Sequence, residues 1–489
     1  MSAITPDIND PVKITDPYSD LCKSFKLSYN RQKIFLKTMT YTQKNKITLM
    51  TEGNIFKILL FFSIPLILGN FLQQMYSTVD SIIVGNYVGS QALAAVSSTS
   101  MIVTVIISGC QGIAVGAGVV IAQCLGAKNR RNVFRSVHTS LAFSLVLGVV
   151  LTVLCALLTR PMVESMNTPK DILDDSVTYL FIYSFGLIFT IFYNMIAGIL
   201  NASGNSKRSL LYLAYASVIN VVLDLLFIVV FDMGVAGAAI ATNISQLLAC
   251  IFSLHYVMTT KNECRVYLKA IRFHRQMLVR ILRMGIPAGM QNTVICFSNV
   301  LIQSSVNVFG YETIAGYGIY LKIDGFDILP LLSISLAMAT FVGQNYGAGC
   351  IERVKKGVIC GLIIGVTYTA GIGIIMLVFH NPILSLFTSD REAIHYAYLA
   401  MLYFCPFYGM LGFTQVFAGA IRGAGKSLVP MVVLLFSFCI FRILWILFVL
   451  PVLNNFEGVL LVYPVSWAVS VVLMTLCYIN LRKKVLRTA

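Results

Sequence analysis

The chain has 489 residues, 57% of them hydrophobic and only 11% charged, and its mean hydropathy of +0.82 lies outside the range of soluble globular domains. That composition excludes a soluble enzyme or binding module and indicates a polytopic membrane protein. A formal charge of +16 raises the question of nucleic acid, which the placement of the basic residues decides.

Residues 1–49 are polar and mixed in charge, without an apolar core or a cleavage site. They are expected to form a disordered arm and not a signal peptide. "MTEGNIFK" at 50–57 has the look of a natural start, so Met50 is a second candidate initiator and the arm a long upstream reading. Apolar runs long enough to cross a bilayer core, about 20 helical residues, follow at 57–86, 92–124, 133–158, 175–200, 208–231 and 235–258. The basic segment 259–283, whose apolar residues alternate with charge, reads as a cytoplasmic linker containing an interfacial helix. Six further runs lie at 284–309, 313–345, 354–379, 394–420, 428–451 and 456–480, before a basic tail at 481–489. The expected architecture is all-α, with twelve transmembrane helices in two pseudo-symmetric six-helix lobes, 50–258 and 284–480.

Lys and Arg follow this topology. With both termini cytoplasmic, the inner segments hold "KNRR" (128–131), Lys207, Arg208, the linker, "RVKK" (353–356), Arg422, Lys426 and "RKK" (482–484), and outer loops hold only Arg160, Lys170 and Arg391. This positive-inside bias sets the orientation in a plasma (inner) membrane. The basic excess is thus a sorting signal and a contact with anionic lipid, and not a nucleic-acid surface. Twelve cysteines stand singly, with no metal-ligand spacing, so neither a disulfide framework nor a zinc site is indicated.

The chain also repeats itself. A shift of 221 residues pairs Gln123 with Gln344, Gly126 with Gly347, Pro161 with Pro382, Gly198 with Gly419, Gly204 with Gly425, Gly237 with Gly458 and Ser245 with Ser466. Ile64 and Pro65 pair with Ile286 and Pro287 after a one-residue gap. Six spans per unit make this a parallel repeat, the architecture of alternating access in secondary transporters.

Buried carboxylates in a membrane are costly and mark function. Asp80 lies about 9 Å below the outer end of the first helix, Asp224 about 10 Å below that of the fifth, and Thr242 at about the same depth on the sixth. Asn220 shares the face of Asp224 one turn away. Two carboxylates, an amide and a hydroxyl at one level can hold a proton or a bare hard cation such as sodium, and two such acids titrate as a unit. The aligned C-lobe positions are Leu301 or Ile302, Phe441, Trp445 and Tyr463, so cation binding is expected in the N-lobe alone. The C-lobe has its own charges, Lys322, Asp324, Asp327 and Arg442. Arg442 and Asp324 fall about 13 Å and 16 Å from the outer surface, heights compatible with a buried structural ion-pair network or a substrate role.

At this point the chain resembles the multidrug and toxic compound extrusion family, over roughly 50–485. The resemblance is carried by "IPLILGNFLQQMYSTVDSIIVGNYVGSQALAAVS" (64–97), "NVVLDLLFI" (220–228), "GVAGAAIAT" (234–242), "FVGQNYGAG" (341–349) and "AGAIRGAGKS" (418–427). It implies twelve helices in two splayed lobes and export of amphipathic, often cationic compounds in exchange for protons or sodium, with no cofactor and no enzymatic step. In the branch with an N-lobe cation site (DinF-like), Asp80, Asn220, Asp224 and Thr242 occupy the cation-site positions, and Pro65 stands where that branch has a first-helix proline proposed to bend. Another branch carries acids where this chain has Ile295 and Gly412, so a C-lobe sodium site of that type is not expected. Gln73 and Tyr76, seven and four residues before Asp80, are candidates for lining the substrate path. The expected partners are drug-like small molecules and membrane lipid, and the expected state is a monomer. A lipid-linked precursor flippase is the alternative of the same fold, but it calls for an Arg-rich cavity. The five histidines (138, 255, 274, 380, 395) stand singly and offer no catalytic constellation.

Overall fold

The computed structural model describes residues 49–166, 168–388 and 390–484. The arm at 1–48 and the last five tail residues lie outside them, with the expectations attached to those segments. The N-lobe consists of α1 (Ile55–Tyr87), α2 (Ser90–Gly126), α3 (Arg130–Ser165), α4 (Lys170–Ala202), α5 (Ser206–Val230) and α6 (Gly234–Thr259). The C-lobe consists of α7 (Arg275–Val306), α8 (Tyr311–Gly347), α9 (Ile351–Val378), α10 (Arg391–Gly423), α11 (Leu428–Leu453) and α12 (Phe456–Lys484). Eleven of these are long and apolar enough to cross a bilayer. In α7 the polar Gln291, Asn292 and Asn299 dilute an otherwise apolar run of sufficient length.

Side-chain caps start several helices where the chain leaves a loop. Asn54 Oδ1 accepts from the Lys57 amide at 3.1 Å before α1, and Asn129 Oδ1 accepts from the Asn132 amide at 3.1 Å before α3. Each satisfies a donor that the helix cannot.

The repeat read from the sequence is also a repeat of backbone geometry. At the same offset, α2 falls on α8 residue for residue, and the left-handed turns coincide: Gly89 (φ 115°) with Gly310 (φ 100°), Gly204 (φ 81°) with Gly425 (φ 89°), and Lys128 (φ 52°) with Gly349 (φ 72°). The lysine shows that the turn, and not the residue type, is what the two halves share. Divergence enters where proline does. Pro406 sits in a 3-10 turn, Cys405–Phe407, that interrupts α10, because proline removes a helical donor and crowds the preceding turn.

The lobes meet along α2, α7 and α8. A Cβ at Gly112 or Gly116 would run into the backbone of Gly289 or Gly285, so these glycines let α2 and α7 cross at backbone contact, as small residues do in membrane helix pairs. Between α1 and α8, Asn70 Nδ2 donates to Ser333 Oγ at 2.9 Å and Phe71 packs on Phe326.

One expected element is absent. The linker carries no interfacial helix: residues 260–274 are non-helical apart from one 3-10 turn, Leu268–Ala270, and the basic stretch from Arg275 forms the first turns of α7. Its backbone donors go instead to local turns, to the Val257 carbonyl of α6 and, in two cases, to side chains of α3. The Tyr267 amide donates to His138 Nε2 at 3.1 Å and the His274 amide to Thr139 Oγ1 at 3.2 Å.

Candidate cation site and the inter-lobe seam

Asp80, Asn220, Asp224 and Thr242 come together in the N-lobe interior. Asp80 lies on the inward face of α1 beside Ile83 and Val84, and Asn220 and Asp224 stack one turn apart on the inward face of α5. All four are buried, Asp224 completely. Asn220 Nδ2 donates to Thr242 Oγ1 at 3.5 Å, which joins α5 to α6, and the Asp224 carboxylate lies within Coulombic reach of Asp80. Asp80 Oδ1, Asn220 Oδ1 and both carboxylate oxygens of Asp224 have no hydrogen-bond partner. Nor does either acid have a basic partner: the ion pairs among the described residues involve Arg130, Arg160 and Lys355, all outside this pocket.

Several orphaned oxygens from neighbouring helices form an acceptor cluster without a donor. An unpaired buried carboxylate costs several kcal/mol, so an ionised acid pair here would call for a compensating positive charge or for protonation. With the Thr242 hydroxyl, the donor set is all oxygen, which fits a hard monovalent cation; a proton on either carboxylate fits as well.

Sequence reasoning missed two contributors. Tyr179 and Tyr183 of α4 stack with ring centroids 5.9 Å apart and lie in the field of Asp80. Their four-residue spacing was a signal, but aromatic pairs are ordinary in membrane cores. The second contributor is a π turn, Leu225–Val230, that begins directly after Asp224. It has no signature in residue type, and π turns of this kind recur at functional sites. Tyr76 lies close to both acids. Gln73, half-buried on the same helix, is not brought into contact with them by any hydrogen bond.

The C-lobe charges are arranged differently from the expected network. Arg442 does not pair with Asp324. Its guanidinium donates to Ser466 Oγ and Ser298 Oγ, each at 3.2 Å, and lies over the rings of Tyr463 (4.4 Å) and Phe438 (4.9 Å). Asp324 accepts from Tyr408 at 2.6 Å and Tyr320 at 3.1 Å. Counting residues gives height along a helix but not azimuth, and the aromatic layer of Tyr317, Tyr463 and Phe404 stands between the two charges. Lys322 is exposed, which removes it from any buried network. Asp327 is buried with Oδ1 unpartnered.

At the basic ends of the helices the lobes are joined by a symmetric pair of clasps. Gln123 Nε2 of α2 donates to the Gly423 carbonyl of α10 at 2.9 Å, and Gln344 Nε2 of α8 donates to the Ala202 carbonyl of α4 at 2.8 Å. The repeat maps each donor and each acceptor onto the other. A Cβ at Gly126 would strike the Gln344 carbonyl, and one at Gly347 would strike that of Gln123. The buried Met50 backbone completes the seam, its amide donating to Gln344 Oε1 at 2.7 Å and its carbonyl accepting from Asn345 and Arg353.

Known proteins share the family sequence pattern and the overall fold. The MatE family model matches residues 65–226 and again 287–447, one copy per lobe. The chain is 32% identical over 392 residues to the probable multidrug resistance protein YpnP of Bacillus subtilis, covering 80% of this chain and 88% of that one. It is 24% identical over 415 residues to the multidrug export protein MepA of Staphylococcus aureus, covering 84% and 90%. Among solved structures it is similar, with a TM-score of 0.83 and 23% identity, to one described as the outward-facing conformation of a multidrug resistance MATE family transporter, over 90% of this chain and 98% of that one.

Proposed function

This chain belongs to the MatE family, and on that premise we propose that it is a multidrug exporter that exchanges amphipathic, cationic compounds for a proton or a sodium ion bound at Asp80 and Asp224. Members of the family are transporters, so the chain is a multi-pass membrane transporter and not an enzyme. The observation that carries the coupling reading is the set of partnerless oxygens on Asp80, Asn220 and Asp224.

With the positive-inside orientation, the Gln123 and Gln344 clasps close the cytoplasmic side, and substrate would leave through the opposite side. A cation entering the pocket neutralises the acid pair and allows α1 to swing against α4–α6 about Pro65, inside α1. Narrowing of the lobe then displaces substrate, and substrate and cation compete through two shapes of one lobe without touching. Gln73 and Tyr76 lie along the face of α1 that would move. The flippase reading finds less support, because Arg442 is already engaged by two serines and two rings.

The test uses purified protein in vesicles loaded with a fluorescent cationic dye, with a proton or a sodium gradient imposed one at a time. Wild type should move dye under at least one gradient and Asp80→Asn under neither. Exchange by Asp80→Asn at the wild-type rate would overturn the coupling assignment.

A further inference from the structure

The basic face also bears an open groove that the transport reading does not use. It encloses about 710 Å³ and is lined by Asn132 of α3 and by Arg275, Gln276, Met277, Val279 and Arg280 of α7. We propose that this groove is a docking site for the headgroup of an anionic phospholipid, which on binding bridges the two lobes.

Charge is the first argument. Arg275 and Arg280 are exposed and have no acidic partner among the described residues, while the nearby linker acid, Glu263, is held by Arg130 at 2.9 Å. Arg135 and Arg272 add positive charge around His274, the residue that precedes α7. Basic pockets between helix ends at the membrane surface suit phosphate headgroups, which bidentate guanidinium donors recognise. The groove is also built: Ser136 Oγ contacts Met277 Sδ at 3.1 Å and Thr139 Oγ1 meets His274 Nδ1 at 3.2 Å, so α3 and the start of α7 are held together beneath it.

The second argument selects a lipid over a soluble phosphate. Val279, Ile286, Met290 and Phe297 are 56%, 49%, 51% and 56% exposed. Their spacing puts them on one face of α7, with the exposed Arg283 between Val279 and Ile286; from Ile286 onward this face is an apolar track beyond the basic cluster, along which an acyl chain can lie. Arg280 Nη2 also donates to Gln123 Oε1 at 3.3 Å, so a headgroup on Arg280 is one side chain away from the Gln123 clasp. A bound lipid would touch both lobes and favour the clasped state.

Native mass spectrometry of the purified full chain tests this, with phosphatidylglycerol, phosphatidylcholine or glycerol 3-phosphate added. Wild type should retain one phosphatidylglycerol about tenfold better than phosphatidylcholine and should not retain glycerol 3-phosphate. R275Q/R280Q should bind the two lipids alike, R275K/R280K should restore the preference, and R160Q, at the opposite end of α3, should leave it unchanged. The proposal is overturned if R275Q/R280Q keeps the preference, if R160Q abolishes it equally, or if glycerol 3-phosphate binds as well as the lipid.

Discussion

At the residue scale, the Thr242 hydroxyl would separate the two candidate coupling ions of the proposed function. A sodium ion bound in the pocket would take it as a ligand, whereas a proton on Asp80 or Asp224 would not. Thr242→Val, of similar volume, should therefore leave proton-driven exchange near wild type and weaken sodium-driven exchange by about tenfold, the loss of one hydrogen-bonding oxygen being worth ~1.5 kcal/mol; transport measured under each gradient separately checks this. Outside the membrane, His274 is the residue with a readable acid response. Partial burial, followed by the charges of Arg272 and Arg135, holds its imidazole below the ordinary histidine range. A depressed histidine favours the folded contact while neutral, so the Thr139–His274 tie should loosen as pH falls through the ordinary histidine range and tighten above it. Hydrogen exchange of residues 268–274 should rise on acidification, and His274→Gln should flatten that dependence.

Elements explain what the sequence could and could not disclose. Spans were legible because a bilayer demands about 20 apolar residues, and the meeting of Asp80, Asn220, Asp224 and Thr242 because depth follows from counting along a helix. Rotation about the helix axis was not legible, which is why Arg442 and Asp324 matched in height and still do not meet. Nor were the π turns. One follows Asp224 at Leu225–Val230, and two flank Arg442 at Phe436–Ile440 and Trp445–Val449, in helices whose apolar residues fit α or π winding equally. The linker residues 260–274 did not form the expected helix because their backbone donors are split among local turns, α6 and α3, a partly tertiary choice beyond local pattern. The proline in α1 carries its own prediction: Pro65→Ala restores a donor within a continuous helix, so the variant should fold normally and exchange dye several-fold more slowly, as read in the vesicle assay.

On the scale of the whole molecule, one backbone is used twice with different polar contents. The N-lobe pocket collects acids without a resident cation, whereas the C-lobe keeps Arg442 permanently over Tyr463 and Phe438. The symmetric clasps make a quantitative prediction about the balance between states. Gln123→Ala leaves the Gly423 carbonyl without its donor, and Gln344→Ala does the same to Ala202, each at a cost of about 1 to 3 kcal/mol to the closed seam. Spin labels across the α2–α10 seam should report an opened population raised about 5- to 150-fold by either variant. Gly126→Val, which drives a side chain into the Gln344 carbonyl, should have a larger effect.

The pairing of those glutamines also bears on how the seam parts. Each one holds the other's lobe, and Met50 ties the entry to α1 to the same spot, so a small rotation strains all three fastenings together. A device closed this way resembles a buckle with two tongues more than a door on a single hinge, and it should spend little time half undone.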